Sequence, residues 1–192
     1  MLSVVEGLLD AFDADEPRPD FCLLPIWVCR AAGGDADQAI RPAGAWHLLH
    51  VAAMLLDDVE DNELGLKDWP PMTAGQAVNI VTTFIFLSQL MLARPDRAGM
   101  TPLRALALQE TYSRAALKTC VGQHRDLDTD FANLDDHWQT VAAKSGESFS
   151  LACRVAAMLA SDDPHAVEAY AKYGLNLGML VQIGDDIRGV WH

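Results

Sequence analysis

This sequence predicts an all-α bundle of long helices. Ala, Leu, Met and Gln fill its apolar runs, and β-branched alternation is scarce. Proline and glycine fall between long apolar-periodic stretches, where they separate helices. No Gly-rich phosphate loop of the nucleotide-binding α/β folds occurs. The 192 residues are one domain's worth, with no repeat or linker to divide them, so a single unit over 1–192 is expected.

The elements follow in order. Residues 3–12 read as a short helix, stopped by Pro17 and Pro19. Residues 21–32 form an apolar helical segment with Pro25 early in it and Gly33-Gly34 as its stop. A long helix is expected from Pro42, a first-turn proline, to about Glu63. Further helices are expected over about 74–93 and 102–125, separated by the break ARPDRAGMTP. Asn133-Leu134-Asp135 caps a helix over about 136–160, and Ser161-Asp162-Asp163-Pro164 opens one that runs to the chain end.

Charge narrows the function. Lys and Arg number 14 against 27 Asp and Glu, a net charge of −13. That argues against a nucleic-acid partner, because phosphate backbones select basic faces. It suits a pocket whose carboxylates meet an anionic substrate through metal cations. No apolar stretch is read as long enough to span a bilayer. The acidic start MLSVVEGLLDAFDADE shows no signal peptide. Cys22, Cys29, Cys120 and Cys153 lie scattered in apolar runs and read as buried free thiols in a reducing, cytoplasmic setting.

Two acidic clusters carry the chemistry. In His47–Asp61 a helix turns about 100° per residue, so Asp57 and Asp61 stack on one face, with Asp58 beside them. His50, seven residues before Asp57, lies within about 20° of that face. Stacked carboxylates repel, and the repulsion favours a bound cation; hard oxygen ligands suit Mg2+. Near the other end, Gly174 and Gly178 leave one helix face bare, Gln182 continues it, and Asp185 and Asp186 follow. Each glycine costs roughly 1 kcal/mol against Ala, so close approach to the backbone is expected there. Between the clusters, Gln123 and Asp126 share a face, and Lys144 stands in an otherwise apolar helix as a candidate cation for gripping an anion. Solvated acidic helix ends, tight helix packing and a snorkelling lysine are the structural alternatives for these features.

Taken together, DDVED at 57–61, GQHRDL at 122–127, KS at 144–145 and GLNLGMLVQIGDD at 174–186 resemble, in order, the motifs of the trans-isoprenyl diphosphate synthase (polyprenyl synthetase) family. The resemblance covers roughly residue 20 to the end. It implies an isoprenoid synthase-like bundle of long antiparallel helices around a central cavity, with the Asp motifs facing each other across its mouth. It implies Mg2+ held by Asp57, Asp58, Asp61, Asp126, Asp185 and Asp186, and an allylic prenyl diphosphate as substrate. Asp57, Asp58, Asp61, Lys144, Gln182 and Asp185 are then the expected catalytic residues. His50, Ala52, Ala53, Gln123 and Lys144 are the expected substrate-binding residues. Small side chains at Ala52 and Ala53 leave the tail channel open by about one helical turn, about 5 Å, which points to a C15 or longer chain and C20 as the single choice. A homodimer through the apolar helix 74–93 is also expected.

This sequence departs from that family pattern at four places. The basic Gly-Lys-x-x-Arg-Pro that binds isopentenyl diphosphate is missing; Phe21 takes the Arg position and Arg18 lies near the Lys position. The Arg-Arg-Gly after the first Asp motif is replaced by Asn62-Glu63-Leu64-Gly65-Leu66-Lys67. The second Asp motif ends in Gly189 in place of a carboxylate, and the chain stops at His192, so the family's C-terminal helices are expected to be lacking. His50 does match the family's co-substrate histidine. Alternatives therefore stay open: a class I terpene synthase-like enzyme, a prenyltransferase with a non-isopentenyl acceptor, or a non-catalytic partner subunit. A carboxylate-bridged di-iron bundle is disfavoured, because no paired Glu-x-x-His motif is present.

Overall fold

The structure, a computed structural model, describes residues 21–66, 69–93, 101–128 and 133–191, the last three of these without side-chain detail. The expected helix 3–12 and its prolines, Arg18, Lys67 and the segment 94–100 lie outside the described residues.

Among the described residues the chain is helical and contains no strand. A 3-10 turn, Phe21–Leu23, leads into α1, Leu24–Ala31. Gly33, with φ at 85°, ends it as expected, because that left-handed turn disfavours a Cβ. Helix α2 spans Ala36–Glu60 and starts earlier than Pro42 suggested. The Asp35 carboxylate caps it by accepting from the Asp37 amide at 3.1 Å. Pro42 therefore lies inside the helix, and its carbonyl takes a hydrogen bond from the buried Tyr112 hydroxyl. Pro42 has no N–H to donate to the carbonyl four residues earlier, so the helix gives up one backbone hydrogen bond there, and the Tyr112 contact ties this turn to the buried core.

Helix α3, Ala74–Leu92, opens with a reciprocal Thr73–Gln76 capping box. Helix α4, Pro102–Leu127, is capped by the Thr101 hydroxyl, and α5, Leu134–Val141, by Asn133 as expected. The single helix expected over 136–160 is interrupted. A π-type turn at Ala142–Gly146 separates α5 from α6, Glu147–Ala160. Helix α7, Pro164–Trp191, follows the Asp163 cap.

Helix α6 is the centre of the bundle. Phe149, Leu151, Ala152, Cys153, Val155 and Ala156 are all buried, and the helix packs against α1, α2, α4 and α7. A helix buried on most sides must be apolar on most sides, which α6 is. Glycine sets how closely α7 approaches: a Cβ at Gly174 would stand 2.3 Å from the Phe149 carbonyl oxygen, and one at Gly178 2.5 Å from that of Ser145. The close approach expected at these glycines is thus helix-to-helix packing.

A second core joins α2 to α3 through Val51, Ala52, Leu55, Ala77, Val81 and Phe84. Helix α3 corrects one expectation. Its 19 residues are long and apolar enough, by length and composition, to cross a membrane. It carries no charged side chain, and its polar groups are Gln, Asn, Thr and Ser, which is why it passes that test. One face packs on α2; Val78, Ile85, Phe86 and Leu90 stand exposed on the other, Phe86 at 69 %.

Candidate active site

The site assembles from the last turn of α2, the C-terminal half of α4, the π-type turn and the end of α7. Asp57 Oδ1 accepts from Lys144 Nζ at 2.7 Å and from Gln123 Nε2 at 2.8 Å. Lys144 Nζ also donates to Asp126 Oδ2 at 2.6 Å. One ammonium, with its side chain 16 % exposed, so ties α2 to α4. Burial pulls its pKa down, but the hydrogen bonds and charges of Asp126 and Asp57 outweigh that and hold it above the ordinary lysine value. Lys144 is a cation at neutral pH.

Two adjacent side chains of the π-type turn serve two directions. An extra residue in the helical ladder re-aims its neighbours, and such turns recur at functional sites. Lys144 reaches α2 and α4, while the Ser145 hydroxyl donates to Gln182 Oε1 on α7. Gly122 makes room: a Cβ there would lie 2.4 Å from the Lys144 backbone nitrogen.

On α7, Gln182 Nε2 donates to Asp186 Oδ1 at 2.9 Å. Asp186 Oδ2 lies 3.8 Å from His137 Nε2 of α5, and Asp185 pairs with Arg188. The two acidic motifs are thus linked through Lys144 and Ser145, and Asp185 also acts electrostatically on His50 of α2.

The carboxylates of the first motif differ in surroundings. Burial and the charge of Asp57 hold the Asp61 carboxyl above its usual range; Glu63 and Asp126 add to this and Lys144 opposes it. Asp58 Oδ2 accepts from the Trp69 indole at 2.5 Å, and Trp69 packs on the α2–α3 core. Among the described residues, no three His, Cys, Asp or Glu side chains converge on one point.

His50 sits in an aromatic cluster. Its ring stacks on Trp46 at 5.2 Å and meets Phe149 edge-on at 5.6 Å; Phe21 meets Phe149 at 5.1 Å. Burial, with His47 nearby, pushes the His50 pKa down to about 4 against a smaller opposing pull from Asp185. An imidazole lowered from about 6.5 is neutral in the fold and protonated in the unfolded chain between those values, so its stability contribution is present above pH 6.5 and lost as pH falls towards 4. Urea unfolding is expected to show about 2 kcal/mol less stability at pH 5 than at pH 7, with that difference shrinking in His50→Phe. An equal pH slope in the two proteins would remove His50 as its source.

The two alanines separate. Ala52 is 2 % exposed in the α2–α3 seam, a packing position, whereas Ala53 is exposed on another side of α2. Three groups in the network were not singled out from sequence: Glu60, which accepts from Gln123 Nε2 at 2.9 Å, Trp69 and His137. Glu60 carries a signal in retrospect, because it lies three residues after Asp57 on the same side of the helix. Trp69 and His137 carry none, because their partners lie on other elements.

The polyprenyl synthetase family profile matches residues 16–191, and the chain belongs to that family. Geranylgeranyl diphosphate synthase of Mycobacterium tuberculosis (strain ATCC 25618 / H37Rv) is 26 % identical over 167 residues, covering 84 % of this chain and 47 % of that protein. Tryptophan prenyltransferase ComQ of Bacillus subtilis subsp. natto is 27 % identical over 186 residues, covering 96 % of this chain and 56 % of that protein. The chain spans about half the length of these curated relatives. The crystal structure of an FPP/GFPP synthase from Zymomonas mobilis superposes with a TM-score of 0.81 at 22 % identity, covering 97 % of this chain and 71 % of that one. That likeness shows the all-α fold.

Proposed function

We propose that this chain ionises an allylic prenyl diphosphate in a Mg2+-dependent reaction and transfers the prenyl group to isopentenyl diphosphate, in the manner of a geranylgeranyl diphosphate synthase. The observation that carries this reading is the Lys144 ammonium held between Asp57 and Asp126, one residue from the Ser145 link to the second Asp motif. Breaking the allylic C–O bond leaves negative charge on the diphosphate, and a fixed, desolvated cation stabilises it as it develops.

The donor set fits Mg2+. Burial first and the charge of Asp57 second hold the Asp61 carboxyl above its usual range, and a bound cation beside it would favour its ionised form. Carboxylates spread over two helices suit a cation that takes one or two from each side and shares substrate phosphate oxygens. Asp57, Asp61 and Asp126 on one side, and Asp185 and Asp186 on the other, would hold it. When bound, Mg2+ supplies Lewis-acid stabilisation of the leaving diphosphate. Asp58, tethered by Trp69, anchors the loop after α2. Gln123 orients Asp57, and Gln182 with Ser145 orients Asp186. The bundle interior takes the hydrocarbon tail and keeps water from the cation.

A second reading draws on the aromatic cluster. Phe21 packs on Phe149 where the family carries a basic residue, and His50 is neutral above pH 5. Both favour an acceptor without a diphosphate, as the name of the tryptophan prenyltransferase relative suggests, or intramolecular quenching as in a terpene synthase. The test is incubation with Mg2+ and farnesyl diphosphate, with and without isopentenyl diphosphate. Elongation only with the co-substrate supports the first reading; pyrophosphate release without it supports the second. No release in either case overturns both and favours a non-catalytic partner subunit.

Two properties follow from the proposal. The tail runs along the Ala53 side of α2, and the product is C15 or longer, with C20 the expected chain. Ala53→Phe is expected to shorten the product by at least one isoprene unit, read by chromatography of the dephosphorylated products; an unchanged chain-length profile places the tail elsewhere. The exposed α3 face joins two copies in a cytoplasmic homodimer. Sedimentation at micromolar concentration is expected to give a dimer that Phe86→Glu converts to monomer, and a monomeric wild-type protein rules this out.

A further inference from the structure

Glu60 stands against its local preference. The last turn of α2 holds Asp57, Asp58 and Glu60 and no basic residue, although negative charge at a helix C-terminus opposes the helix dipole. A residue that breaks a local rule points to a tertiary reason. For Asp57 that reason is Lys144. For Glu60 it is Gln123.

Both contacts of Gln123 leave from one nitrogen. Nε2 donates to Asp57 Oδ1 at 2.8 Å and to Glu60 Oε2 at 2.9 Å. An amide nitrogen has two N–H groups, and this geometry uses both. A side-chain amide turned by 180° would instead aim its oxygen at two carboxylates, which repel it. Asp57 alone leaves one N–H group without an acceptor and the amide free to pivot. Asp57 and Glu60, three residues apart on one helix side, fix it from two points.

We infer that Glu60 is a positioning residue for the first Asp motif: it locks the Gln123 amide, and through it the Asp57 carboxylate, in the orientation that meets the metal and the leaving diphosphate. The inference rests on the proposed Mg2+-dependent ionisation. Glu60 itself acts through Gln123, and its carbonyl-type oxygen matters more than its charge. Residues that orient a metal-binding carboxylate typically change metal affinity by about 10–100-fold when removed.

The experiment uses the full chain, labelled with nitrogen-15, as wild type, Glu60→Ala and Glu60→Gln. In the metal-free protein the Gln123 side-chain N–H pair, assigned by Gln123→Glu, is expected to exchange slowly with water. Glu60→Ala is expected to speed that exchange at least about fivefold, and to raise the half-saturating Mg2+ concentration for pyrophosphate release from farnesyl diphosphate, assayed with isopentenyl diphosphate present, about tenfold. Glu60→Gln, which keeps an acceptor oxygen, is expected to recover most of both losses. Thermal unfolding of each variant checks the fold, and the glutamine variant supplies the comparison should the alanine variant be unstable. Unchanged Gln123 exchange in Glu60→Ala overturns the inference. So does a Mg2+ requirement that stays put while the exchange changes, or a glutamine variant as impaired as the alanine one. If wild type releases no pyrophosphate, the proposed function fails instead; Mg2+ titration of the Asp57 and Gln123 resonances then decides whether Glu60 positions the motif.

Discussion

Lys144→Met is expected to slow pyrophosphate release from an allylic diphosphate by about 10^3-fold or more, with only a modest change in substrate affinity. The ammonium contacts Asp57 at 2.7 Å and Asp126 at 2.6 Å, so it is both the fixed cation of the site and the clamp between α2 and α4. Losing one preorganised donor to a developing anion costs about 10^2–10^3 in rate, and here the donor carries a full charge. The two carboxylates left behind are 30 % and 35 % exposed, so water relieves much of their repulsion. Stability should fall by only about 1–2 kcal/mol, less than for a fully buried pair. Single-turnover kinetics beside a urea melt separates the two effects. A variant that keeps wild-type turnover would falsify the role given to Lys144.

Gly122→Ala is expected to damage fold and activity together. A Cβ at this position would meet the Lys144 nitrogen at 2.4 Å, the Ala143 carbonyl carbon at 2.6 Å and the Ala143 Cβ at 2.9 Å. Two of those atoms are backbone, so α4 and the π-type turn must separate; overpacking of this kind costs about 1–3 kcal/mol. Separation also draws Lys144 away from Asp126, so pyrophosphate release should fall by at least about tenfold in protein that remains folded. Gly75→Ala is the control, because nothing lies within 4 Å of a Cβ there. A Gly122→Ala protein as stable as that control would show that the two helices can part without loss.

Much of the site is legible in the chain because helical periodicity is a local property. The spacing of Asp57 and Asp61, of Gln123 and Asp126, and of Gly174, Gly178 and Gln182 puts each set on one side of its helix, whatever the helix packs against. The caps at Asn133 and before Pro164, and the stop at Gly33, are equally local. Pro42 misleads because it lies inside the helix at the cost of one backbone hydrogen bond, in a turn that the fold buries and that Tyr112, seventy residues away in the chain, holds by its carbonyl. The π-type turn escapes for a related reason, since Ala-Ala-Lys-Ser-Gly is ordinary helical sequence and the turn stands where that segment packs against both α4 and α7.

Residue type and spacing alone determine that the chain is helical and that the acidic residues, Gln123 and Gln182 fall on defined helix faces; Mg2+ and a diphosphate as their complements are what the resemblance to the polyprenyl synthetase family implies. Tertiary structure decides which carboxylate does what. Asp57 turns to Lys144 and Gln123, Asp58 to Trp69, and Asp61 is perturbed first by burial and then by the charge of Asp57, although all three lie within one run of five residues. Ala52 goes into the α2–α3 seam and Ala53 to the open side. Neighbours on a helix point about 100° apart, so a one-residue step changes which element a side chain meets. What stands there is settled only when α3, α4 and the π-type turn pack into place.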